Sequence, residues 1–381
     1  MRWCVSLALA LLAGSGSAIP SSLAQDAAKR GPQLKSHQAQ TERLNQNTVT
    51  VISGNPNGTY LFFAYDMSAV LDDGEELRIL PVVGKGAFQN VRDILHLRGV
   101  DLGITQSDIM SYLKKTPEFG SNIDDRMHYI AKLYNEEMHI LAGANINTVQ
   151  DLSGKKVNYS DAGSGTQFST RLIFEALGIK PEEVNMGQAD GFLKVKSGEI
   201  AATVLIGGKP TAAFAKLQLE PGMKLLAVPY TDALETGYFP AKLAHEDYPN
   251  LVPQGQVVDT IAVGAILACY AWAPNSDRYR RVAKFTEAFL AKFEDFRKPP
   301  RHVKWRETNL AAPVKGWKRF AAAQEWLDRN AGRGGQTATS ALRVDPDLAR
   351  QQAARVAPGD VGEQERLFRR FLEWSKQQPR Q

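Results

Sequence analysis

The chain has 381 residues, which exceeds the usual size of one domain, so two domains or one large domain with a tail are expected. Hydrophobic residues make up 43% of the chain and charged residues 23%, which suits a folded protein and excludes disorder throughout. The formal net charge is only +5, and no basic tract concentrates it, so the composition argues against a nucleic-acid-binding protein.

Residues 1–24 have the pattern of a cleaved secretory signal peptide. Arg2 supplies the positive charge, residues 3–13 are apolar, and residues 22–24 (SLA) form a small-residue cleavage site. The apolar run of about eleven residues is too short to span a bilayer, so we predict a periplasmic protein with no membrane span of its own. After cleavage Cys269 is the remaining cysteine, and no internal disulfide can form.

Residues 25–47 are polar and lack periodicity, and we predict a flexible lead-in there. Three β-loop-α units follow, each with a short apolar strand, a small polar loop and a helical pattern. Their strands are predicted at 48–52, 77–83 and 100–105. Three such units in a row predict an α/β fold with a parallel sheet and helices on both of its faces.

The stretch 155–178 (KKVNYSDAGSGTQFSTRLIFEALG) also reads as strand, turn and helix. Gly178 suits the end of that helix, so residues 162–166 (AGSGT) lie on its N-terminus. Free backbone N–H groups, hydroxyl groups and the positive end of the helix dipole then meet at one place, which favours an anion such as a carboxylate or phosphate. The alternative interpretation is that Ser164 or Thr166 only caps the helix.

Small polar loops recur where predicted strands end, and ligands of parallel sheets bind beyond the carboxyl ends of the strands. These loops lie at 53–59, 84–86, 106–108, 162–166 and 207–210. If two such sheets face each other, the loops would form a cleft that closes on a small molecule. The six histidines show no metal-ligand spacing, and no HExxH, CxxC or GxSxG motif occurs, so we expect neither an enzyme nor a metal or cofactor.

Several phrases occur in the order typical of one protein family. They are residues 57–60 (NGTY), 101–108 (DLGITQSD), 151–157 (DLSGKKV), 161–166 (DAGSGT), 208–210 (GKP) and 238–240 (YFP). In this order the chain, from about residue 48 to 296, resembles the TAXI proteins, the extracytoplasmic solute receptors of TRAP transporters. The resemblance implies a type II periplasmic-binding-protein fold, in which two α/β lobes joined by crossing strands clamp a solute and present it to membrane permease subunits.

The resemblance also implies a domain organisation. Lobe I is expected at 48–141 and again at 260–330, with lobe II at 142–259 between them. The crossings are expected at 138–142 and within 257–269. Beyond residue 330 we predict a linker at 331–340 and an amphipathic helix at 360–376, with Asp360 and Glu363 as a capping box.

The resemblance also implies which residues of this chain contact the ligand. They are Ser53, Gly54, Thr59, Tyr60, Gln106, Ser107, Gly163, Ser164, Gly165, Thr166, Gly208, Lys209 and Pro210. Lys209 would be a counter-charge for a small anionic solute, or else a solvated loop lysine. The first loop, SGNPNGTY, is less glycine-rich than in relatives, so the solute need not be the acidic amino acid or dicarboxylate of the family.

Two other functions stay open at this stage. A periplasmic sensor or interaction protein could use the same fold and dock through its tryptophan-rich C-terminal extension, where Trp305, Trp317 and Trp326 lie among charged residues. An enzyme on this fold is the third possibility.

Overall fold

The computed structural model describes residues 36–330, and within them ten strands belong to one sheet. The strands are β1 Thr48–Ile52, β2 Arg78–Val82, β3 Leu102–Gln106, β4 Met127–Ala142, β5 Lys156–Asn158, β6 Glu182–Val184, β7 Ala202–Gly207, β8 Lys224–Leu225, β9 Phe239–Ala244 and β10 Val257–Tyr270. The chain divides into two compact units, 1–323 and 324–381, and all ten strands lie in the first.

The α-helices surround this sheet, and three short 3-10 turns complete the described elements. The helices are α1 36–46, α2 Tyr60–Leu71, α3 Ala87–His96, α4 Ser107–Lys115, α5 Ile123–Arg126, α6 Gly165–Ala176, α7 Gln188–Ser197, α8 Ala212–Ala215, α9 Asp277–Ala291, α10 Phe293–Phe296 and α11 Ala321–Asn330. The 3-10 turns are Val149–Leu152, Asp232–Leu234 and Val303–Glu307.

The strand order is β2-β1-β3-β10-β4-β7-β5-β6, with β8 on β4 and β9 on β10. Strand β1 pairs in parallel with β2 and β3, and β5 pairs in parallel with β6 and β7. The two parallel groups lie on either side of the antiparallel pair β10 and β4. The predicted fold class, two wound α/β lobes joined by crossing strands, is therefore confirmed.

Strands β4 and β10 each run through both lobes. The first half of β4 pairs with β10, and its second half, from Glu137 to Ala142, pairs with β7. Strand β10 pairs with β9 up to Ala262 and with β3 from Ala265. The chain thus passes between the lobes at 136–137, just before the predicted crossing at 138–142. The passage at 262–265 lies inside the predicted range 257–269.

The core of lobe I is aromatic. Phe285, Phe289 and Phe296 lie on α9 and α10, and all are fully buried. Trp305 is also fully buried, with its ring centroid 3.9 Å from that of Phe63. Its indole nitrogen donates a hydrogen bond to Asp66 over 2.8 Å, so the segment after α10 completes lobe I.

The lead-in differs from the prediction. Residues 36–46 form an exposed helix, which a lack of apolar periodicity could not indicate, because the helix buries no apolar face. Its side chains pair along the surface, as in the hydrogen bond from Gln38 to Glu42, and Arg43 forms an ion pair with Glu75 at 2.8 Å. The predicted signal peptide at 1–24 and the predicted helix at 360–376 lie outside the described residues.

Candidate functional site

The glycine-bearing loops of the two lobes face each other across a closed cleft. A cavity of about 40 Å³ lies between them, where the loops after β1, β2 and β3 of lobe I meet those after β5 and β7 of lobe II. Glu136, at the point where β4 passes between the lobes, also lines this cavity. A volume of this size holds about three water-sized groups, so the closed cleft suits a small solute.

Four helices begin at this cavity. The first residues of α2, α3, α4 and α6 are Tyr60, Ala87, Ser107 and Gly165, and each is a cavity-lining residue or directly follows one. Helix N-termini carry partial positive charge and unpaired N–H groups. Their convergence makes the cavity favourable for an anion.

The structure confirms the capping interpretation of the AGSGT loop for Ser164. Ser164 is the N-cap of α6, and its hydroxyl accepts a hydrogen bond from the Gln167 backbone N–H over 3.1 Å. The hydroxyl of Thr166 accepts from the backbone N–H of Ile206 over 3.0 Å. The hydroxyl acceptors are therefore occupied by the protein, whereas the N–H groups of Gly165 and Thr166 have no acceptor within the helix.

Gly165 sets how closely the lobes approach. A Cβ built on Gly165 would collide with Oε1 of Gln106 and would lie 2.8 Å from Cβ of Ala87, both in lobe I. Real Cβ atoms essentially never approach a neighbour so closely. Only glycine allows the start of α6 to pack against lobe I in this arrangement.

Direct contacts between the lobes surround the cavity. Asn55 donates a hydrogen bond from Nδ2 to Asp161 Oδ2 over 2.7 Å, and the backbone N–H of Gln89 donates to the Gly163 carbonyl over 3.3 Å. The rings of Phe88 and Phe168 stack at 4.6 Å between centroids. These contacts hold the two lobes in a closed arrangement.

A second seam between the lobes consists of buried polar groups. Tyr238 of lobe II donates a hydrogen bond to Asp108 of lobe I over 2.9 Å, and Ser169 of α6 donates to Gln106 Oε1 over 3.2 Å. All four residues are buried. Burial raises the pKa of the Asp108 carboxyl, and the hydrogen bond from Tyr238 opposes part of that rise.

Glu136 lies in the centre of this polar network. Its Oε2 accepts hydrogen bonds from the Tyr60 hydroxyl over 2.8 Å and from Gln106 Nε2 over 2.9 Å. The pKa of the Glu136 carboxyl is raised to about 8, mainly by burial and in part by the nearby carboxyl groups of Asp108 and Glu137, while the hydrogen bonds from Tyr60 and Gln106 oppose the rise. The cleft therefore holds a carboxyl group that is mostly neutral at pH 7.

Lys85 and Glu136 are the two residues with ionisable charge that line the cavity within the described part of the chain. Lys85 follows β2, is exposed, and lies at the rim of the cleft. Lys209 points elsewhere, because its Nζ forms an ion pair with Asp247 at 2.8 Å and donates to the carbonyl of Lys242 over 2.7 Å. The expected counter-charge role of Lys209 is thus not supported by its position, and Lys85 is better placed for it.

Residues 52–304 match the model of the NMT1-like family. The chain belongs to the NMT1-like family. The matched region contains both lobes' cavity-lining loops and both crossing strands.

Solved structures similar to this NMT1-like protein include one described as a periplasmic transporter, at 12% identity and a TM-score of 0.45, covering 75% of this chain and 93% of that one. The substrate-binding protein of an amino acid ABC transporter matches at 14% identity and 0.36, covering 66% and 97%. The alkanesulfonate-binding protein of Xanthomonas axonopodis pv. citri matches at 14% and 0.40, covering 74% and 83%. Because the identities and TM-scores are this low, the assignment of the fold depends on the strand order of this chain.

The structure brings together seven of the thirteen predicted site residues around the cavity of this NMT1-like protein. The seven are Gly54, Thr59, Tyr60, Gln106, Ser164, Gly165 and Thr166. The other six do not line it: Ser53, Ser107, Gly163, Gly208, Lys209 and Pro210.

Three of these six residues form hydrogen bonds beside the cavity instead of lining it. Ser53 donates a hydrogen bond to the carbonyl of Val82 over 2.8 Å, and Ser107 Oγ accepts from the backbone N–H of Gly264 over 3.3 Å. The Gly208 carbonyl accepts from Thr59 Oγ1 over 2.8 Å, which joins lobe II to the first loop of lobe I.

Two functional candidates were missed by sequence reasoning. Lys85 stands in a loop, Gly84-Lys85-Gly86, that has the same position after a strand as the predicted site loops, so its signal was present. Glu136 had no such signal, because it lies inside a strand. Among residues 36–330, no group of three or more His, Cys, Asp or Glu side chains could hold a metal ion, and no helix there is long and apolar enough to cross a membrane.

Proposed function

We propose that this NMT1-like protein is an extracytoplasmic solute receptor of the TAXI type. It binds a small carboxylate-bearing solute between its lobes and delivers that solute to the membrane permease subunits of a TRAP transporter. The protein acts in the periplasm after removal of residues 1–24, and it transforms nothing chemically.

The observation that carries this proposal is the convergence of four helix N-termini and Lys85 on one cavity between two lobes. Unpaired N–H groups on Gly165 and Thr166 can receive the two oxygens of a carboxylate. Lys85 at the rim adds a positive charge that attracts the anion during binding. A cleft whose two lobes are joined by direct hydrogen bonds and ring contacts suits a clamp better than a surface for macromolecules.

The buried tryptophans weigh against the sensor or interaction protein as the alternative function. Trp305 is fully buried in lobe I and Trp317 is 9% exposed, so neither offers a docking surface.

A thermal-shift and calorimetry screen of amino acids, 2-oxo acids and dicarboxylates tests the proposal. A true ligand at about a thousandfold above its dissociation constant should raise the free energy of unfolding by about 4 kcal/mol. Lys85→Ala should weaken binding about three- to tenfold, since a rim charge gives modest energy. Lys242→Ala, which removes an equal charge away from the cavity, is the matched control. If no anionic metabolite in the screen stabilises the protein, the receptor function is refuted.

A further inference from the structure

The two carboxylate oxygens of Glu136 have different surroundings. Oε2 accepts two hydrogen bonds, one from Tyr60 and one from Gln106. In the part of the chain that the structure describes, no protein donor bonds to Oε1. The side chain is only 2% exposed and it lines the cavity. One oxygen is therefore held by the protein, and the other is available to a solute in the cleft.

The hydrogen bonds from Tyr60 and Gln106 favour the ionised form of Glu136, but burial and the neighbouring carboxyl groups outweigh them and raise its pKa. From α2 and α4 it faces the hydroxyl of Tyr60 and the carboxyl of Asp108, and from its own strand the hydroxyl of Tyr134 and the carboxyl of Glu137. None of these groups is a cation.

The nearest buried cation is already paired. Lys304 Nζ lies 2.6 Å from Glu137 Oε1 and 2.7 Å from Glu307 Oε1. Val263 is opposite Glu136 on β10, and the cavity is lined by the apolar Leu205 and Ile206 of β7 and, at its rim, by Lys85, which forms no ion pair with Glu136 in the described residues. A carboxylate in such surroundings keeps its proton to higher pH, because burial without a partner cation disfavours charge.

The position of that proton follows from the hydrogen bonds. Because Oε2 accepts from two donors, it acts as the carbonyl oxygen of the neutral acid, and the proton resides on Oε1. The cavity is thus presented with an O–H donor. The neutral acid can donate to an oxygen acceptor of the solute, and it has no charge that would repel an anion. An ionised carboxylate at the same place would repel an anionic solute.

We propose that Glu136 is a ligand-recognition residue that donates a hydrogen bond from Oε1 to an oxygen acceptor of the bound solute. The inference rests on the proposed receptor function and narrows its substrate class. The group that meets Glu136 is the ketone oxygen at C2 and not an ammonium, so the cleft selects 2-oxo acids over the corresponding α-amino acids.

Isothermal titration calorimetry with two matched pairs tests this selection. The probes are pyruvate against alanine and 2-oxoglutarate against glutamate, each titrated into the mature protein at pH 6.5 and 9.5. At least one oxo acid should bind more tightly than its amino acid at pH 6.5. Its affinity should fall about thirtyfold at pH 9.5, because only the protonated fraction of Glu136 is competent.

Glu136→Gln keeps a hydrogen-bond donor at this position but removes the proton that titrates. The amide keeps an oxygen for Tyr60 and Gln106 and directs an N–H group to the cavity, so affinity at pH 6.5 should be retained and the fall at pH 9.5 should disappear. Asp108→Asn neutralises the other buried carboxyl of the cleft, which does not line the cavity; the fall should remain, with its midpoint at a lower pH, because the Asp108 carboxyl raises the pKa of Glu136. Infrared spectroscopy of the unliganded protein supplies a second readout, a protonated carboxyl band at pH 6.5 that Glu136→Gln removes.

Three binding results would overturn the inference while leaving a receptor in place. They are tighter binding of the amino acids with a loss in Glu136→Gln, an oxo-acid affinity equal at both pH values, and a pH effect removed by Asp108→Asn alone. Absence of the infrared band also overturns it. If no carboxylate of the wider screen binds, the receptor function itself fails, and the recognition role of Glu136 fails with it.

Discussion

Substitution of Gly165 by alanine should block closure of the cleft without harming the fold of either lobe. Gly165 is the first residue of α6, and its backbone is not in the left-handed region, so alanine fits the helix. In the closed arrangement the added methyl group would collide with Gln106 and would lie 2.8 Å from Ala87 Cβ. The strain therefore appears only when lobe I and lobe II meet.

The size of the effect follows from the cost of overpacking. An extra methyl group in a well-packed contact costs about 1–3 kcal/mol, which corresponds to about a five- to hundredfold loss of solute affinity. The free energy of unfolding of the unliganded protein should not fall by that amount, because an open cleft relieves the collision. Affinity would be measured by calorimetry with the tightest carboxylate of the screen, and stability by urea unfolding.

Gly237→Ala is the matched control for this experiment. Gly237 lies in lobe II, no heavy atom lies within 4 Å of its added Cβ, and its backbone is not left-handed. It should leave both affinity and stability unchanged. Wild-type affinity in Gly165→Ala would refute the inference that the lobes close around the start of α6 as the structure shows.

Three further predictions concern the buried polar groups. Lys304→Met leaves the Glu137 carboxyl without its cation and should cost about 3–5 kcal/mol in urea unfolding, whereas Lys318→Met, at an exposed ion pair, should change little. Tyr238→Phe removes a donor to buried Asp108 across the lobes and should weaken solute binding about five- to hundredfold in calorimetry; an unchanged affinity would show that this seam does not contribute to closure. Burial raises the pKa of Glu136 from 4.5 to about 8. The contribution of this carboxyl to the free energy of unfolding is therefore complete below pH 4.5 and is lost as the pH rises to 8, by up to about 1.4 kcal/mol per pH unit. Glu136→Gln should flatten that part of the stability profile in thermal unfolding, and an unaltered slope would assign the effect to another group.

Much of the fold could be predicted because each local pattern agrees with its place in the sheet. The apolar strand at 48–52 is β1, the aromatic stripe of α9 and α10 is core, and Ser164 begins α6 as its cap. Seven predicted site residues line one cavity because small loops after parallel strands must share an edge of the sheet.

The polar residues inside β4 prevented the prediction of one continuous strand. Asn135, Glu136 and Glu137 interrupt the apolar pattern, so apolar periodicity predicts two short strands, 129–134 and 138–141, where the structure has one strand of sixteen residues. Glu137 is satisfied there by Lys304, and Glu136 by Tyr60 and Gln106, all distant in the chain. Apolar periodicity indicates a break in the strand at such residues, because it contains no information on hydrogen-bond partners from distant parts of the chain.

The sequence by itself determined most of the strands and helices, the parallel winding of each lobe and the loops that carry glycine, since these depend on neighbours along the chain; the helix at 36–46 and the continuity of β4 are the exceptions. Only the tertiary structure decided which charges reach the cleft. Lys209 is turned to Asp247 and Lys85 stands at the rim, although both are lysines in loops beside glycine. The difference depends on long-range pairing and burial, and these determine the direction of a side chain and the protonation of a buried carboxyl such as Glu136.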